Sequence, residues 1–160
     1  MKALVIRDAR PGDEDVILAF LRDFAEFEKL THTFRLTREI IARDFMGAQR
    51  RVQCDVAEWE GRPAGLTIWF RNYSTFQAAP IFLLEDIYVA LEFRRRGIGT
   101  ALLKHLARRA VDENAARIDW VVLGWNATAI DFYTRIGARL ADDWRVCHMS
   151  GDALAALAKA

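Results

Sequence analysis

Cysteine, histidine and proline are scarce in this chain: its 160 residues include two Cys, three His and three Pro. Cys54 and Cys147 lie far apart with no CxxC partner, which excludes a disulfide framework and suits small buried apolar residues in a reducing compartment. His32, His105 and His148 lack metal-ligand spacing and no serine sits in a GxSxG elbow, so zinc-enzyme and serine-hydrolase readings fail and no metal is expected. An excess of charge is missing too. With 23 Lys+Arg against 22 Asp+Glu the net charge is +1, so any electrostatic function must be local. No apolar run reaches membrane-spanning length, and the five-residue apolar run near the N-terminus is too short for a secretory signal. The expected location is the cytoplasm, with neither membrane nor nucleic acid as a partner. What the chain does have is apolar bulk, 52% hydrophobic residues with ten Phe and five Trp. At this length roughly two-thirds of the unfolded surface can be buried, enough for one domain over residues 1–160 without staples.

The patterning predicts an alternation of strands and helices. Residues 3–7 read as a short strand, and Arg10-Pro11-Gly12-Asp13 as a turn into a helix whose first-turn acids complement its dipole. Ile17, Phe20, Leu21, Phe24 and Phe27 recur there at helical spacing. Thr37 is placed to cap a second helix through about Gly47. Residues 52–59 and 65–70 read as a hairpin around Glu60-Gly61-Arg62-Pro63, with a polar loop over 72–80. Residues 81–89 are too apolar and β-rich for a solvated edge and are predicted to be a central strand. Gly97 opens a helix to about Asn114, a strand covers 118–123, and a short helix runs from Asn126 to Ile136 with Gly137 at its C-terminal cap. A strand over 140–149 and a last helix from Asp152 complete the reading.

Two features carry chemistry. Arg94-Arg95-Arg96-Gly97-Ile98-Gly99-Thr100 is a basic, glycine-containing turn between a buried strand and a helix N-terminus, where free N–H groups and arginines suit a phosphate or pyrophosphate. It is neither a dinucleotide fingerprint, since Leu102 stands at the third glycine position, nor a P-loop. An ordinary turn with solvated arginines fits these letters equally, and nucleic-acid phosphate is a weaker competitor. Glu85 and Asp86 are anomalous inside an apolar strand and need a partner or a task. Period-two alternation sends them to opposite faces, and an inter-strand ion pair with an Arg is their bland alternative.

The segments LLEDIYV, FRRRGIGTALLK, GWNATAIDFYTRIGARL and DDWR, in that order and preceded by AEFEKL at 25–30, resemble the GCN5-related N-acetyltransferase (GNAT) superfamily, and more narrowly its diamine (spermidine/spermine) and thialysine N-acetyltransferase branch. The resemblance implies an α/β fold, a mixed and strongly curved sheet with helices on both faces, and acetyl-CoA as co-substrate. It implies that the loop from Arg94 to Thr100, including Arg95, Arg96, Gly97, Ile98 and Gly99, holds the CoA pyrophosphate. The backbone of Ile87, Tyr88 and Val89 would pair with the pantetheine arm as an added strand. Asn126 would contact the CoA arm, a role compatible with capping its helix. Tyr133 would protonate the leaving thiolate, its alternative being a packed helix Tyr beside Phe132. Glu85 would deprotonate the amine directly or through water, and Asp86, Glu28, Phe27 and Trp144 would form the amine pocket. An alkylamine with a pKa of about 10.4 is only about one part in 2,500 neutral at pH 7, so a base is needed.

Where related enzymes often carry Tyr and Trp, this chain has Phe27 and Phe76, which bears on the acceptor rather than on acetyl transfer. The implied reaction is direct attack of a small-molecule primary amine, polyamine or lysine-like, on acetyl-CoA in a ternary complex, in a homodimer whose C-terminal strands help shape the amine sites. The alternatives are another amino acid or a protein amine as acceptor, or a non-catalytic acyl-CoA sensor.

Overall fold

The computed structural model describes residues 4–159, which form two compact units, one through Val121 and one from Val122. The first contains a five-stranded sheet in the order β1-β2-β3-β4-β5: Leu4–Asp8, Gln53–Trp59, Arg62–Ser74, Ala79–Val89 and Ile118–Asp119. The first four strands pair antiparallel and β5 joins β4 in parallel, so the sheet is mixed. Helices α1 (Glu14–Phe27), α2 (Arg38–Phe45) and α3 (Ile98–Asp112) belong to the same unit.

The two longer helices take opposite faces of the sheet. Phe20 and Phe24 of α1 pack on the Tyr88 ring at 5.4 and 6.1 Å, and the Tyr88 hydroxyl donates to Asp23 at 3.2 Å. Tyr88 stands opposite Leu66. The alternating neighbours Thr67 and Trp69 point the other way, toward α3, where the Trp69 indole donates to Asp55 at 2.9 Å and the Arg109 guanidinium lies 5.2 Å from the Trp69 ring. Ile17, Leu66, Ile98 and Leu102 are fully buried, and the same core encloses Cys54.

Asp55 is a buried acid on β2, and burial pushes its carboxyl up while Arg109 opposes the shift. It accepts from Trp69, from Thr67 at 3.3 Å and from Arg109 at 3.3 Å, with His105 at 3.6 Å. Arg109 also donates to Asp8 at 2.8 Å. These bonds tie the last turn of α3 to β1 and β2, so the helix cannot rotate about its axis without orphaning a buried carboxylate.

Several expected boundaries differ from the structure. The loop expected over 72–80 shrinks to a turn at 75–78, because both strands continue into it, with Tyr73 opposite Pro80 and Ser74 opposite Ala79. Asn72 and Tyr73 lie where the ribbon faces solvent, so polarity at these two positions reports exposure rather than a break in pairing. The strand expected over 118–123 contains only Ile118 and Asp119. Residue 3, assigned to the first strand, lies outside the described residues.

The second unit contains α4 (Ala127–Arg135) and α5 (Gly151–Leu157). Asn126 caps α4, its side chain accepting from the Ala129 N–H at 3.2 Å, and Gly137 follows with φ 94°. The strand expected over 140–149 is absent: those residues make no ladder among the described residues, and Trp144, Val146, Met149 and Cys147 are exposed. Alternating side chains specify a strand only where a neighbouring edge supplies its hydrogen bonds. Among the described residues no helix is long and apolar enough to cross a membrane.

Candidate active site

An irregularity in β4 creates the site. Ile68 of β3 stands opposite Asp86, but the next residue, Trp69, stands opposite Leu84. Glu85 is therefore an extra residue in β4, a β-bulge, and a bulge re-aims the side chains beside it. The expectation that Glu85 and Asp86 point to opposite faces fails for this reason. Both line one cavity of about 470 Å³ on the α1 side of the sheet.

Leu21, Phe24, Ile40, Phe45, Ile68 and Phe70 supply most of the apolar wall of that cavity. Its charged groups are Glu28 at the C-terminal cap of α1, Arg35 from the connection before α2, Asp44 from α2, and the Glu85 and Asp86 pair. Burial, together with the negative charges of Glu85 and Glu28, pushes the Asp86 carboxyl up to about 7. Burial also raises Glu28. The shift of Asp86 has three causes of one sign, because apolar walls and two carboxylates all penalise its charged form. A cation entering the cavity reverses that penalty.

Phe27, expected in this group, is 44% exposed at the end of α1 and is not among the residues lining the cavity. Arg35 and Asp44 were not singled out from sequence. They lie in a connection and on a helix flank, where a charged residue carries no periodic signal. Asp44 is held ionised by Arg43, which donates to its two oxygens at 2.8 and 2.7 Å.

The basic turn lies at the end of the same strand. Beyond Leu83, β4 continues to Val89 with no strand on its β5 side among the described residues, since β5 pairs only at Phe82 and Leu83. This leaves a sheet edge beside Ile87 and Tyr88 open to an added partner. The Val89 carbonyl accepts from Arg94 Nε at 3.0 Å.

After a single turn of 3-10 helix over Leu91–Phe93, the chain takes left-handed conformations at Arg95 (φ 61°) and Gly97 (φ 77°) and enters α3 at Ile98. The N–H groups of Ile98, Gly99 and Thr100 have no acceptor within the helix and carry the positive end of its dipole. Arg94 lies 6.0 Å from the Tyr88 ring and Arg96 lies 5.4 Å from the Trp59 ring. The arginines of this turn remain exposed. Left-handed turn, free amides and three guanidinium groups fit a pyrophosphate.

In the second unit Tyr133 is buried on α4, its ring 5.4 Å from that of Phe132, and Trp144 is 83% exposed.

A mixed sheet whose bulged strand runs past its last neighbour among the described residues, followed by a basic left-handed turn at a helix N-terminus, fits an acyl-CoA-dependent transferase. The sequence and structural comparisons make the class specific. The acetyltransferase (GNAT) family model matches residues 16–138, and the chain belongs to that family. It is therefore an enzyme of the acetyltransferase class, and the family's co-substrate is acetyl-CoA. A thialysine N-epsilon-acetyltransferase from Bos taurus is 34% identical over 169 residues, covering 99% of each chain. An L-ornithine N5-acetyltransferase from Arabidopsis thaliana is 42% identical over 96 residues, 60% of this chain and 42% of the relative. A solved integron cassette protein from Vibrio cholerae has the same fold, with a TM-score of 0.82 at 22% identity and full coverage of both chains.

Proposed function

We propose that this enzyme transfers the acetyl group of acetyl-CoA to a primary amine of a small cationic molecule, a polyamine or a lysine-like diamine, by direct attack in a ternary complex. The observation that carries this reading is the cavity in which Glu28, Glu85 and Asp86 converge on an apolar wall. Such a pocket attracts an ammonium group and supplies the base that its deprotonation needs. The Glu85 and Asp86 pair takes the proton of the bound ammonium, directly or through water, and Asp86, held near 7, remains able to accept it at neutral pH. Arg94 to Thr100 hold the pyrophosphate, the β4 edge at Ile87 and Tyr88 receives the pantetheine arm, and Asn126 contacts that arm.

The neutral amine attacks the thioester carbonyl carbon. A new C–N bond forms, the C–S bond breaks, Tyr133 delivers its proton to the departing sulfur, and the second proton of the attacking nitrogen, shed as the amide forms, returns through solvent to the Tyr133 oxygen. The amide product and CoA thiol leave, and the ammonium's proton passes to solvent from the carboxyl pair. Binding both reactants at once contributes through proximity, since the attack becomes unimolecular.

Release of free CoA, measured against spermidine, putrescine, thialysine, lysine and a lysine peptide, tests the reading. Turnover on the small amines is expected; acetyl-CoA binding without turnover on any amine would instead favour a sensor. In the same assay Tyr133→Phe should lower kcat about 10²-fold while leaving acetyl-CoA affinity within a few-fold, the pattern of a group needed only in the transition state. An unchanged kcat with chemistry rate-limiting removes Tyr133 from the acid role.

The exposed apolar residues of the second unit, Trp144, Val146, Met149 and Leu154 among them, support a homodimer in which this segment gains a partner. Sedimentation equilibrium should give twice the chain mass of 18.3 kDa, and a monomer at micromolar concentration would contradict it.

A further inference from the structure

The cavity contains one group that a polyamine does not need. Arg35 is the cation among its charged lining residues, which are otherwise the acids Glu28, Asp44, Glu85 and Asp86. In an electrostatically acidic pocket a guanidinium opposes the binding of a purely cationic ligand, and its presence calls for a ligand of mixed charge. Its geometry is prepared for one. Arg35 Nη1 donates to the backbone carbonyls of His32 and Phe34, each at 2.9 Å, which fixes the planar head against the connection before α2. The two hydrogen bonds of Arg35 both run through Nη1, and none runs from Nε or Nη2 among the described residues, although four carboxylates line the same cavity. The residue is exposed, so it stands at the rim rather than in the depth where Asp86 is desolvated. A guanidinium anchored through one nitrogen and open on the others is the partner that a carboxylate takes.

We propose that Arg35 determines acceptor specificity by binding the carboxylate of an α-amino acid whose side-chain amine is the group acetylated, so that diamino acids are preferred over the diamines that lack only that carboxylate. The inference rests on the amine-acetyltransferase reading above. The apolar wall between accommodates the methylene chain, and the Glu85 and Asp86 pair meets the reacting amine. Arg35 touches the end of the substrate remote from the bond being made, so it acts on which amine is bound and not on the proton transfer.

Matched acceptors differing only by the carboxylate test this: L-lysine against cadaverine and L-ornithine against putrescine, with kcat/KM measured for wild type, Arg35→Ala, Arg35→Lys and Arg35→Glu. Wild type should favour the amino acid in each pair. Arg35→Ala should reduce the amino-acid-to-diamine ratio by roughly 10- to 100-fold, chiefly through the KM of the amino acid, the loss expected when a charge-assisted pair is removed. Arg35→Lys should restore part of the ratio, since charge is kept and the fork is lost. Arg35→Glu should invert it. The acetyl-CoA dissociation constant, read on every variant, reports that the fold is intact. A wild-type preference for the diamines, or a ratio unchanged in Arg35→Ala with acetyl-CoA binding retained, overturns this inference alone. A wild-type enzyme that binds acetyl-CoA but is inactive on all four amines and also on spermidine and thialysine overturns the amine-acetyltransferase reading, and the role of Arg35 falls with it.

Discussion

Asp86→Asn is expected to make the protein more stable and the enzyme far less active. The folded carboxyl titrates near 7 against an ordinary 3.8, so the native state binds this proton more tightly than the unfolded chain does. Between about pH 4 and pH 7 folding therefore takes up a proton, and the wild-type protein loses stability as pH rises through that window, levelling off above it. Three units correspond to about 4 kcal/mol. The amide of Asn carries its own desolvation cost of about 1 to 2 kcal/mol, so the net gain at pH 8 should be about 2 to 3 kcal/mol and should turn into a loss of about 1 to 2 kcal/mol by pH 4. Urea unfolding at several pH values reads this directly, and a gain that does not vary with pH would mean that Asp86 is not desolvated as described.

The same substitution should lower kcat/KM for the amine by roughly 10²- to 10⁴-fold, the range for removing a general base together with a substrate counter-charge. The acid limb of the wild-type pH profile, with a midpoint near 7, should persist in Glu85→Gln at a lower midpoint, since one of the charges that raise Asp86 is gone, and vanish from the residual activity of Asp86→Asn. A limb that survives in Asp86→Asn assigns the titration to another group. Stability withheld in order to keep a charge where chemistry needs it is a familiar arrangement at active sites.

Gly65→Ala is expected to damage both fold and co-substrate binding. Gly65 stands opposite Val89, and a β-carbon added there would meet the Tyr88 carbonyl oxygen at 2.5 Å and the Val89 Cα at 3.3 Å. Both are backbone atoms, so no rotamer change relieves the contact and β4 itself must move. Overpacking of this kind costs about 3 kcal/mol, or roughly 6 to 12 °C in melting temperature for a chain of this size. The displaced segment is the one assigned to the pantetheine arm, so acetyl-CoA affinity should fall at least tenfold even where the variant remains folded. Gly61→Ala is the contrasting control. Its φ of 78° also disfavours a side chain, but nothing lies within 4 Å, so it should lose stability without losing acetyl-CoA affinity. A Gly65→Ala protein melting within 2 °C of wild type would show that β3 and β4 separate there without penalty.

What sequence could and could not disclose follows from where each signal lives. Thr37 and Asn126 were legible as helix caps because capping is a local bond, and each accepts from the N–H three residues on, Ile40 and Ala129. The loop before α3 was legible because left-handed glycine and clustered arginines leave a mark in the letters. The bulge at Glu85 leaves none. Two adjacent acids in a strand look the same whether or not the opposite strand skips a residue, and that skip alone decides whether they face one cavity or two faces. Arg35 and Asp44 reach the cavity through the path of the chain between α1 and β2, which no spacing rule encodes. Asp55 resembled the polar position of an alternating strand, although α3 covers it and Arg109 meets it from 54 residues away. The strand expected over 140–149 had the right alternation and lacks the neighbour that would make it one.

The two cysteines divide the molecule for a reason unrelated to catalysis. Cys54 is enclosed in the core, where burial and the surrounding carboxylates push its thiol up, while Cys147 lies exposed in the second unit. Only a thiolate reacts readily with an alkylating probe. A single chain therefore carries one attachment point for a fluorophore or spin label, on the unit that also bears Tyr133 and Trp144, and slower labelling at high protein concentration would report the dimer proposed for this segment. A label placed there watches that unit during turnover without cutting a new handle into the sequence, and Cys54 becomes reactive only when the core opens, which makes it a built-in clock for global unfolding.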